Sequence, residues 1–277
     1  MKSDLLTILG PTACGKTRFA TLLARRLDGE IISADSRQVF RGMDIGTGKD
    51  LSDYLVDGQQ VVHHLIDIAE PGTRYSVYQF QQDFTAAYAD IVARGKVPIL
   101  CGGTGLYIES IIRGYSFPQV ETDDRQNSRH AQDNVVTPER PLQSPPLSAY
   151  RSLNIGLLIG REERRQKISA RLHARLDEGM IDEVRRLISR GVPADALIRY
   201  GLEYKYITLY LLGRLEYGEM VRLLEIAIHQ FAKRQMTWFR GMEERRGIPI
   251  CWLSCSLPME ERLETVERLW KKQVAGV

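Results

Sequence analysis

The segment at residues 10–17 constrains the fold of this chain more than any other feature. It reads Gly-Pro-Thr-Ala-Cys-Gly-Lys-Thr and matches G-x-x-x-x-G-K-[ST], the pattern of a phosphate-binding loop, or P-loop. This pattern requires a strand before it and a helix after it. Residues 5–9 form a short apolar run, and residues 17–27 carry apolar side chains at helical spacing. The segment therefore predicts a strand–loop–helix unit that binds phosphate.

The composition is typical of a folded, globular protein. The chain has 277 residues, of which 43% are hydrophobic and 26% charged, which excludes a wholly disordered chain. No apolar run approaches the ~18–20 residues of a membrane span, and no signal-peptide core follows Met1. The four cysteines lack zinc-ligand spacing. We expect a cytoplasmic protein with reduced thiols that does not associate with a membrane.

Alternating strand and helix patterns continue to residue 115. Strands are predicted at residues 30–34, 61–68 and 97–101, and helices at 76–94, opened by the capping box Ser76-x-x-Gln79, and at 104–113. Strands that alternate with helices of this length favour a parallel sheet covered on both faces. We predict an α/β fold, a P-loop NTPase-like parallel sheet flanked by helices, with residues 1–115 as its core.

The remainder of the chain is predicted to be mostly helical. Residues 116–150 contain five prolines and few aliphatic side chains, which predicts a flexible loop. Residues 151–277 return to the core with strands near 154–159 and 248–253. Helices are predicted at 162–190, with a break near Gly179, and at 194–212, 219–244 and 258–272. The helical part therefore lies toward the C-terminus.

The predicted P-loop has the chemistry of an anion cradle. Its glycines let the backbone wrap a phosphate, the helix N-terminus supplies positive potential, Lys16 adds a charge, and Thr17 can ligate Mg²⁺. A nucleotide hydrolase or kinase is expected to carry an Asp after a neighbouring apolar strand. The strand at 97–101 ends in Gly102-Gly103-Thr104 instead, which weakens the prediction of ATP hydrolysis.

Asp35 is a candidate general base. It follows the apolar strand at 30–34 directly, so it lies at the carboxyl edge of the sheet, where α/β folds bind ligands. A carboxylate beside a diphosphate is repelled unless it binds a metal or takes a substrate proton. The alternative is an ordinary turn or N-cap aspartate.

Ordered motifs along the chain resemble those of the tRNA dimethylallyltransferase (isopentenyltransferase) family. These motifs are residues 10–17; Ser33-Ala34-Asp35-Ser36-Arg37-Gln38-Val39-Phe40-Arg41-Gly42-Met43-Asp44-Ile45-Gly46-Thr47-Gly48-Lys49; His63-His64-Leu65-Ile66-Asp67-Ile68; Tyr75-Ser76; Gly102-Gly103-Thr104-Gly105-Leu106-Tyr107; and Ala232-Lys233-Arg234-Gln235-Met236-Thr237-Trp238-Phe239-Arg240. The resemblance implies transfer of a dimethylallyl group from dimethylallyl diphosphate to the N6 amine of an adenosine in tRNA, next to the anticodon. No ATP is hydrolysed in that reaction.

The resemblance also implies roles for residues at matching positions. Asp35 would be the base at N6, Thr104 would bind the diphosphate or its bridging oxygen, and Arg171 would contact the diphosphate, although a solvated helix arginine is the alternative. Mg²⁺, held by Thr17, would offset the diphosphate charge together with Lys16. The loop residues that bind the diphosphate would be Gly10, Pro11, Thr12, Ala13, Cys14, Gly15, Lys16 and Thr17.

Two segments are candidates for binding adenine and tRNA. The first follows Asp35 and comprises Ser36, Arg37, Gln38, Val39, Phe40 and Asp44. The second combines charge with aromatic faces, as RNA contacts commonly do, and comprises Lys233, Arg234 and Arg240 beside Trp238 and Phe239. The alternative is that the aromatic residues pack in the core and the charges are solvated.

The chain departs from the family pattern at two places. Family members carry a helical insertion that grips the anticodon arm, whereas residues 116–150 are short, polar and proline-rich, so we predict a short form with a reduced insertion. A Gly-Tyr-Arg or Gly-Tyr-Lys turn is replaced by Gly201-Leu202-Glu203-Tyr204-Lys205. Two alternatives stay open: an adenylate dimethylallyltransferase acting on AMP, ADP or ATP, and a P-loop small-molecule kinase, which would turn over ATP.

Overall fold

A parallel sheet of six strands forms the centre of the molecule. The computed structural model describes residues 3–115 and 150–276. The strands in chain order are β1 (Ser3–Leu9), β2 (Gly29–Ala34), β3 (Leu55–Val56), β4 (Gln59–Gln60), β5 (His63–His64), β6 (Val97–Gly102), β7 (Tyr150–Leu158) and β8 (Cys251–Ser254). The sheet order is β5-β2-β6-β1-β7-β8, and all its pairs are parallel. Strands β3 and β4 form a separate antiparallel hairpin.

Helices cover both faces of the sheet, as its apolar strands require. They are α1 (Lys16–Leu27), α2 (Val77–Ala93), α3 (Gly105–Arg113), α4 (Arg161–Asp177), α5 (Met180–Ser189), α6 (Ala194–Arg199), α7 (Leu202–Leu211), α8 (Tyr217–Glu244) and α9 (Met259–Ala275). Helices α1 and α9 pack on one face, whereas α2, α3 and the C-terminal part of α8 pack on the other. The α/β fold predicted from the sequence is confirmed.

Helices α4 to α8 enclose a third hydrophobic cluster beyond the carboxyl edge of the sheet. Residues after β2, among them Val39, Phe40 and Met43, pack into it. Helix α8 is shared, because its first half belongs to this cluster and Phe239 near its end packs on the sheet. The carboxyl edge of the sheet therefore faces helices α4 to α8.

Local signals predicted several element boundaries. Ser76 Oγ accepts from Gln79 N at 3.2 Å and Gln79 Oε1 accepts from Ser76 N at 2.8 Å, so the capping box is confirmed. Gly179 adopts a φ of 96° and separates α4 from α5, as predicted. Left-handed backbone of this kind is unfavourable for residues with a Cβ atom.

Two predicted elements were wrong in extent. Of the strand predicted at 61–68 only β5 forms, because Leu65 and Asp67 adopt φ values of 63° and 56°, which no strand can contain. The helix predicted at 194–212 is divided into α6 and α7 at Gly201. The loop predicted at 116–150 lies outside the described residues, except that Tyr150 begins β7.

Within the part of the chain that the structure describes, no helix combines the length and apolarity of a membrane span.

Candidate active site

The P-loop connects β1 to α1 at the carboxyl edge of the sheet. Gly15 adopts a φ of 78° directly before α1, a conformation that glycine tolerates without strain. At Gly10 a Cβ atom would lie only 3.1 Å from the carbonyl oxygen of Leu157. These two glycines allow the loop to fold tightly against β7 and to lead directly into the N-terminus of α1, the end of a helix that attracts anions.

Two cations lie at this loop. Lys16 Nζ donates to the carbonyl oxygen of Pro11 at 2.7 Å, so the ammonium group folds back over the cradle. Arg171, on α4, donates from Nη2 to the Thr12 hydroxyl. Burial lowers the pKa of the Arg171 guanidinium to about 10, so it remains charged at neutral pH. The structure thus brings Arg171 to the P-loop, and its contact with a diphosphate stays a prediction.

Asp35 and Thr104 occupy adjacent turns after β2 and β6. The two strands are paired, with Ala34 opposite Gly102, and Thr104 N donates to the carbonyl oxygen of Ala34 at 3.1 Å. Thr104 Oγ1 accepts from Ser36 N at 3.1 Å. An acidic and a hydroxyl side chain therefore lie side by side next to the P-loop, as the parallel order of β2, β6 and β1 requires.

Asp35 is itself held by its own turn. Its Oδ1 atom accepts from Arg37 N at 2.9 Å, and the carboxylate is only partly exposed. Burial lowers the pKa of the Arg37 guanidinium, which Asp35 partly offsets. The turn thus engages one carboxylate oxygen, Oδ1, and the role of Asp35 as a base stays a prediction.

The predicted adenine segment divides into polar and apolar parts. Gln38 Nε2 donates to the carbonyl oxygen of Gly48 at 3.0 Å, which orients its amide. Asp44 accepts from Lys49 Nζ at 3.0 Å. Val39 and Phe40 are buried, and the Phe40 ring lies 4.4 Å from that of Tyr200, centroid to centroid. Their side chains belong to the hydrophobic core behind the site, whereas Ser36, Arg37, Gln38 and Asp44 are at least partly exposed.

Glu183 is a structural residue that the sequence interpretation missed. This buried carboxylate, on α5, accepts from the backbone N–H groups of Asp44 at 2.8 Å and Ile45 at 2.7 Å, and from the Tyr204 hydroxyl at 2.6 Å. It therefore fixes the loop that carries Asp44. The sequence signal was a charged residue in the apolar stripe that begins with Met180 in α5, because such residues are buried only when they have partners.

Residues 201–205, where the sequence departs from the family turn, form the start of α7 and place Glu203 near Arg171. Its carboxylate lines a small cavity with Arg171 and Arg175. Burial raises the pKa of Glu203, and the two arginines oppose that rise. Arg175 also pairs with Asp50 at 3.4 Å. The proximity of Glu203 and Arg175 to Arg171, the arginine at the P-loop, was not predicted from the sequence.

A basic groove lies on the exposed side of α8. Its lining includes Lys233, Arg234 and Trp238, together with Arg245 and Arg246 from the end of the helix. The Arg246 guanidinium lies 5.1 Å above the Trp238 ring. Arg245 and Arg246 were not singled out in the sequence, because they follow the last residue of α8, Glu244, and reach the groove only through the way the chain leaves the helix. We call this surface the α8 groove.

The α8 groove adjoins the turn that carries Thr104. Trp238 packs so closely on Gly105 that a Cβ atom there would lie 2.2 Å from the indole Cδ1 atom. Arg240 is exposed but is not part of the groove lining, and Phe239 is fully buried. The groove therefore leads toward the carboxyl edge of the sheet, where Thr104 lies.

The described residues fit Mg²⁺ only as a partner of a bound phosphate. Thr17 offers a hydroxyl, a hard oxygen ligand, while its carbonyl oxygen accepts from the Thr21 hydroxyl at 2.9 Å. Over residues 3–115 and 150–276 no group of three His, Cys, Asp or Glu side chains is placed to hold a metal. Mg²⁺ keeps waters and binds through few protein oxygens plus substrate phosphates, and this donor set suits that mode.

A parallel sheet with a P-loop at its carboxyl edge defines the P-loop class of α/β phosphate-binding proteins. Within that class, the model of the family described as IPP transferase matches residues 38–144 and 134–242. The chain belongs to this family, and it is accordingly a prenyltransferase enzyme.

Named relatives are similar along almost the whole chain. The chain is 51% identical to tRNA dimethylallyltransferase 1 of Parabacteroides distasonis, over 99% of this chain and 100% of that protein. It is 49% identical to tRNA dimethylallyltransferase 2 of Bacteroides fragilis strain YCH46, over 97% and 98%. Among solved structures, the tRNA isopentenylpyrophosphate transferase of Bacillus halodurans is 30% identical, with a TM-score of 0.79 over 99% of this chain and 98% of that one.

Proposed function

We propose that the protein transfers the dimethylallyl group of dimethylallyl diphosphate to the N6 amine of an adenosine in tRNA, next to the anticodon, with release of diphosphate. The observation that carries this proposal is the hydrogen-bonded pair of turns holding Asp35 and Thr104 beside the P-loop. Relatives with 49–51% identity are named for this activity. A basic groove next to the same edge suits an RNA substrate.

The residues divide the reaction between the leaving group and the nucleophile. The N6–carbon bond forms as the bond from that carbon to the diphosphate oxygen breaks, and the electron pair leaves with the diphosphate. Loop N–H groups, Lys16 and Arg171 stabilise that developing charge. Mg²⁺ bound at Thr17 would supply further positive charge. Asp35 Oδ2 takes the proton that N6 loses.

The alternatives differ in the acceptor. A kinase needs a hydroxyl-activating group and an acidic Mg²⁺ ligand after the strand beside the P-loop strand, whereas β6, the neighbour of β1, ends at Gly102 and is followed by Gly103-Thr104. Transfer to free AMP, ADP or ATP needs no extended basic surface. The α8 groove, with Lys233 and Arg234 exposed on it, favours RNA over a free nucleotide.

Labelled dimethylallyl diphosphate offered in parallel to tRNA, AMP, ADP and ATP tests the proposed acceptor. We expect label on tRNA and none on the nucleotides, and digestion of the tRNA should yield the label on N6 of an adenosine. Nucleotide labelling without tRNA labelling would support the adenylate alternative. Release of ADP from ATP without prenyl transfer would support a kinase.

The α8 groove predicts a salt-dependent contact with tRNA. Replacing Lys233 and Arg234 together with glutamine should weaken tRNA binding and reduce the slope of log K against log salt concentration by about 2, because each cation that meets a phosphate releases roughly one counterion. Filter binding or fluorescence titration at several salt concentrations measures this slope.

Arg214 and Arg222 provide the matched control. Both are exposed basic residues, just before and within the first half of α8, outside the groove lining. Their double replacement by glutamine removes the same charge and should leave the slope within about 0.5 of the native value, since only contacting cations release counterions. If the two double variants had equal slopes, Lys233 and Arg234 would be solvated side chains that do not contact tRNA phosphates.

A further inference from the structure

Gln235 is a buried polar side chain, on α8, that contacts two separate backbone segments at the active-site edge. Its Oε1 atom accepts from Thr12 N in the P-loop at 2.8 Å. Its Nε2 atom donates to the carbonyl oxygen of Gly103 at 2.9 Å. The residue is only 8% exposed. One amide therefore joins the loop that holds the diphosphate to the turn that carries Thr104.

The two contacts use opposite halves of the amide. Oε1 can only accept and Nε2 can only donate, so a side chain must present both functions at this reach to make both bonds. A glutamate lacks the donor, a lysine lacks the acceptor, and a methionine of similar volume lacks both. Leaving the Thr12 N–H and the Gly103 carbonyl without partners in a buried position is costly.

The backbone on either side is fitted to this amide. A Cβ atom on Gly103 would lie 2.5 Å from Gln235 Nε2, so only glycine lets the amide reach the turn. Thr12 is held from a second direction, because its hydroxyl accepts from Arg171. The P-loop is therefore held by α8 and by α4, and the amide of Gln235 extends the connection to the Gly103 turn, beside the backbone pairing of Leu9 with Gly102.

We propose that Gln235 is a positioning residue for prenyl transfer. Its amide sets the separation between the P-loop and the Gly102-Gly103-Thr104 turn, and through it the separation between the diphosphate and the Thr104–Asp35 pair. Transfer needs the breaking carbon–oxygen bond and the attacking amine to meet in near-attack geometry, and a misplacement of about 1 Å costs roughly 10²-fold in rate. This inference rests on the function proposed above.

Single-turnover transfer by Gln235→Met tests the proposal. We expect the rate at saturating substrates to fall about 10–10²-fold, with tRNA affinity within a few-fold of wild type, because Lys233 and Arg234 on the exposed side are untouched. Gln235→Glu keeps the acceptor for Thr12 N and loses the donor to Gly103, so its rate should also fall. A native rate in Gln235→Met would overturn the proposal.

Gly103→Ala gives an independent way to displace the same amide. If both substitutions act through the contact between Gln235 and Gly103, the double variant should be hardly slower than the slower single variant, because additivity fails for residues in direct contact. Multiplied rate losses would show that the two changes act separately, which contradicts the proposal.

Gln81→Met is the matched control. Gln81 is half-buried and, like Gln235, lies on a helix; it donates to two carbonyl oxygens, those of Ser110 at 3.2 Å and Tyr115 at 2.9 Å, away from the P-loop. It should lower thermal stability about as much as Gln235→Met while keeping the native transfer rate. Equal rate losses in the two variants would show that Gln235 only stabilises the fold, which would contradict the proposal.

Hydrogen exchange separates this proposal from the proposed function. In Gln235→Met, but not in Gln81→Met, the peptide containing Thr12 should exchange faster, because the N–H of Thr12 has lost its acceptor. That readout needs no transfer reaction. A wild-type protein that labels no tRNA counts against the proposed function, whereas unchanged exchange in Gln235→Met counts against the role of Gln235.

Discussion

Asp35→Asn should lower single-turnover prenyl transfer by about 10²–10⁴-fold, the range typical of a lost general base, while dimethylallyl diphosphate binds within a few-fold of wild type. The amide keeps an oxygen that can accept from Arg37 N, the contact that Asp35 Oδ1 makes at 2.9 Å, so the turn should retain its shape. What it lacks is the capacity to take the N6 proton. Rapid-quench measurement of labelled tRNA, with diphosphate affinity from equilibrium binding, tests both parts.

Asp28→Asn is the control on the same strand. Asp28 directly precedes the opposite end of β2, where it pairs with Lys96 at 2.5 Å in an exposed position. Its φ of 52° suits asparagine well, and exposed pairs contribute little to stability. A native rate is expected there. If Asp35→Asn also transfers at the native rate, Asp35 is not the base.

Lys16→Met should weaken dimethylallyl diphosphate binding and also lower the rate at saturating substrate, by roughly 10²–10³-fold, as expected for removal of one preorganised stabilising group. Methionine preserves the volume of the half-buried stem and removes the charge that folds over the loop through Pro11. Because charge grows on the diphosphate as the carbon–oxygen bond breaks, the loss should be larger in the transition state than in binding.

The pattern of the two variants distinguishes leaving-group stabilisation from proton removal. Lys16→Met should affect both diphosphate affinity and rate, whereas Asp35→Asn should affect the rate alone. Lys96→Met, which removes a half-buried lysine just before β6, should affect neither. Unchanged diphosphate affinity in Lys16→Met would mean that the P-loop does not hold the diphosphate.

Local sequence patterns predicted the elements whose causes are local. The glycines and Lys16 of the P-loop, the Ser76 capping box and the Gly179 break act over a few residues, and the structure has each where it was expected. The failures lie where backbone conformation is set by distant packing. Leu65 and Asp67 adopt left-handed φ values that end β5 early, and leucine, unlike aspartate, is a residue type that gives no sequence signal for such backbone.

The sequence predicted only part of the candidate site, because local patterns do not specify distant packing. Asp35 was placed at the carboxyl edge because it directly follows a strand of a parallel sheet, whereas its proximity to Thr104 depends on β2 and β6 being neighbours, which the structure shows. Arg171 reached the prediction only through family resemblance, and its contact with Thr12 depends on how α4 packs on the P-loop. Glu183 and Glu203 did not stand out as parts of a catalytic or binding motif. Their positions follow from helix packing, which no local spacing specifies.

The sequence by itself determined that residues 10–17 form a P-loop between a strand and a helix, that the sheet is parallel, and that Asp35 lies at the carboxyl edge of that sheet, because hydrophobic periodicity and glycine geometry act locally. Only the tertiary structure decided that the Gln235 amide joins the P-loop to the Gly103 turn and that Glu183 fixes the Asp44 loop. Those contacts join residues far apart in the chain, and their existence depends on the packing of whole helices.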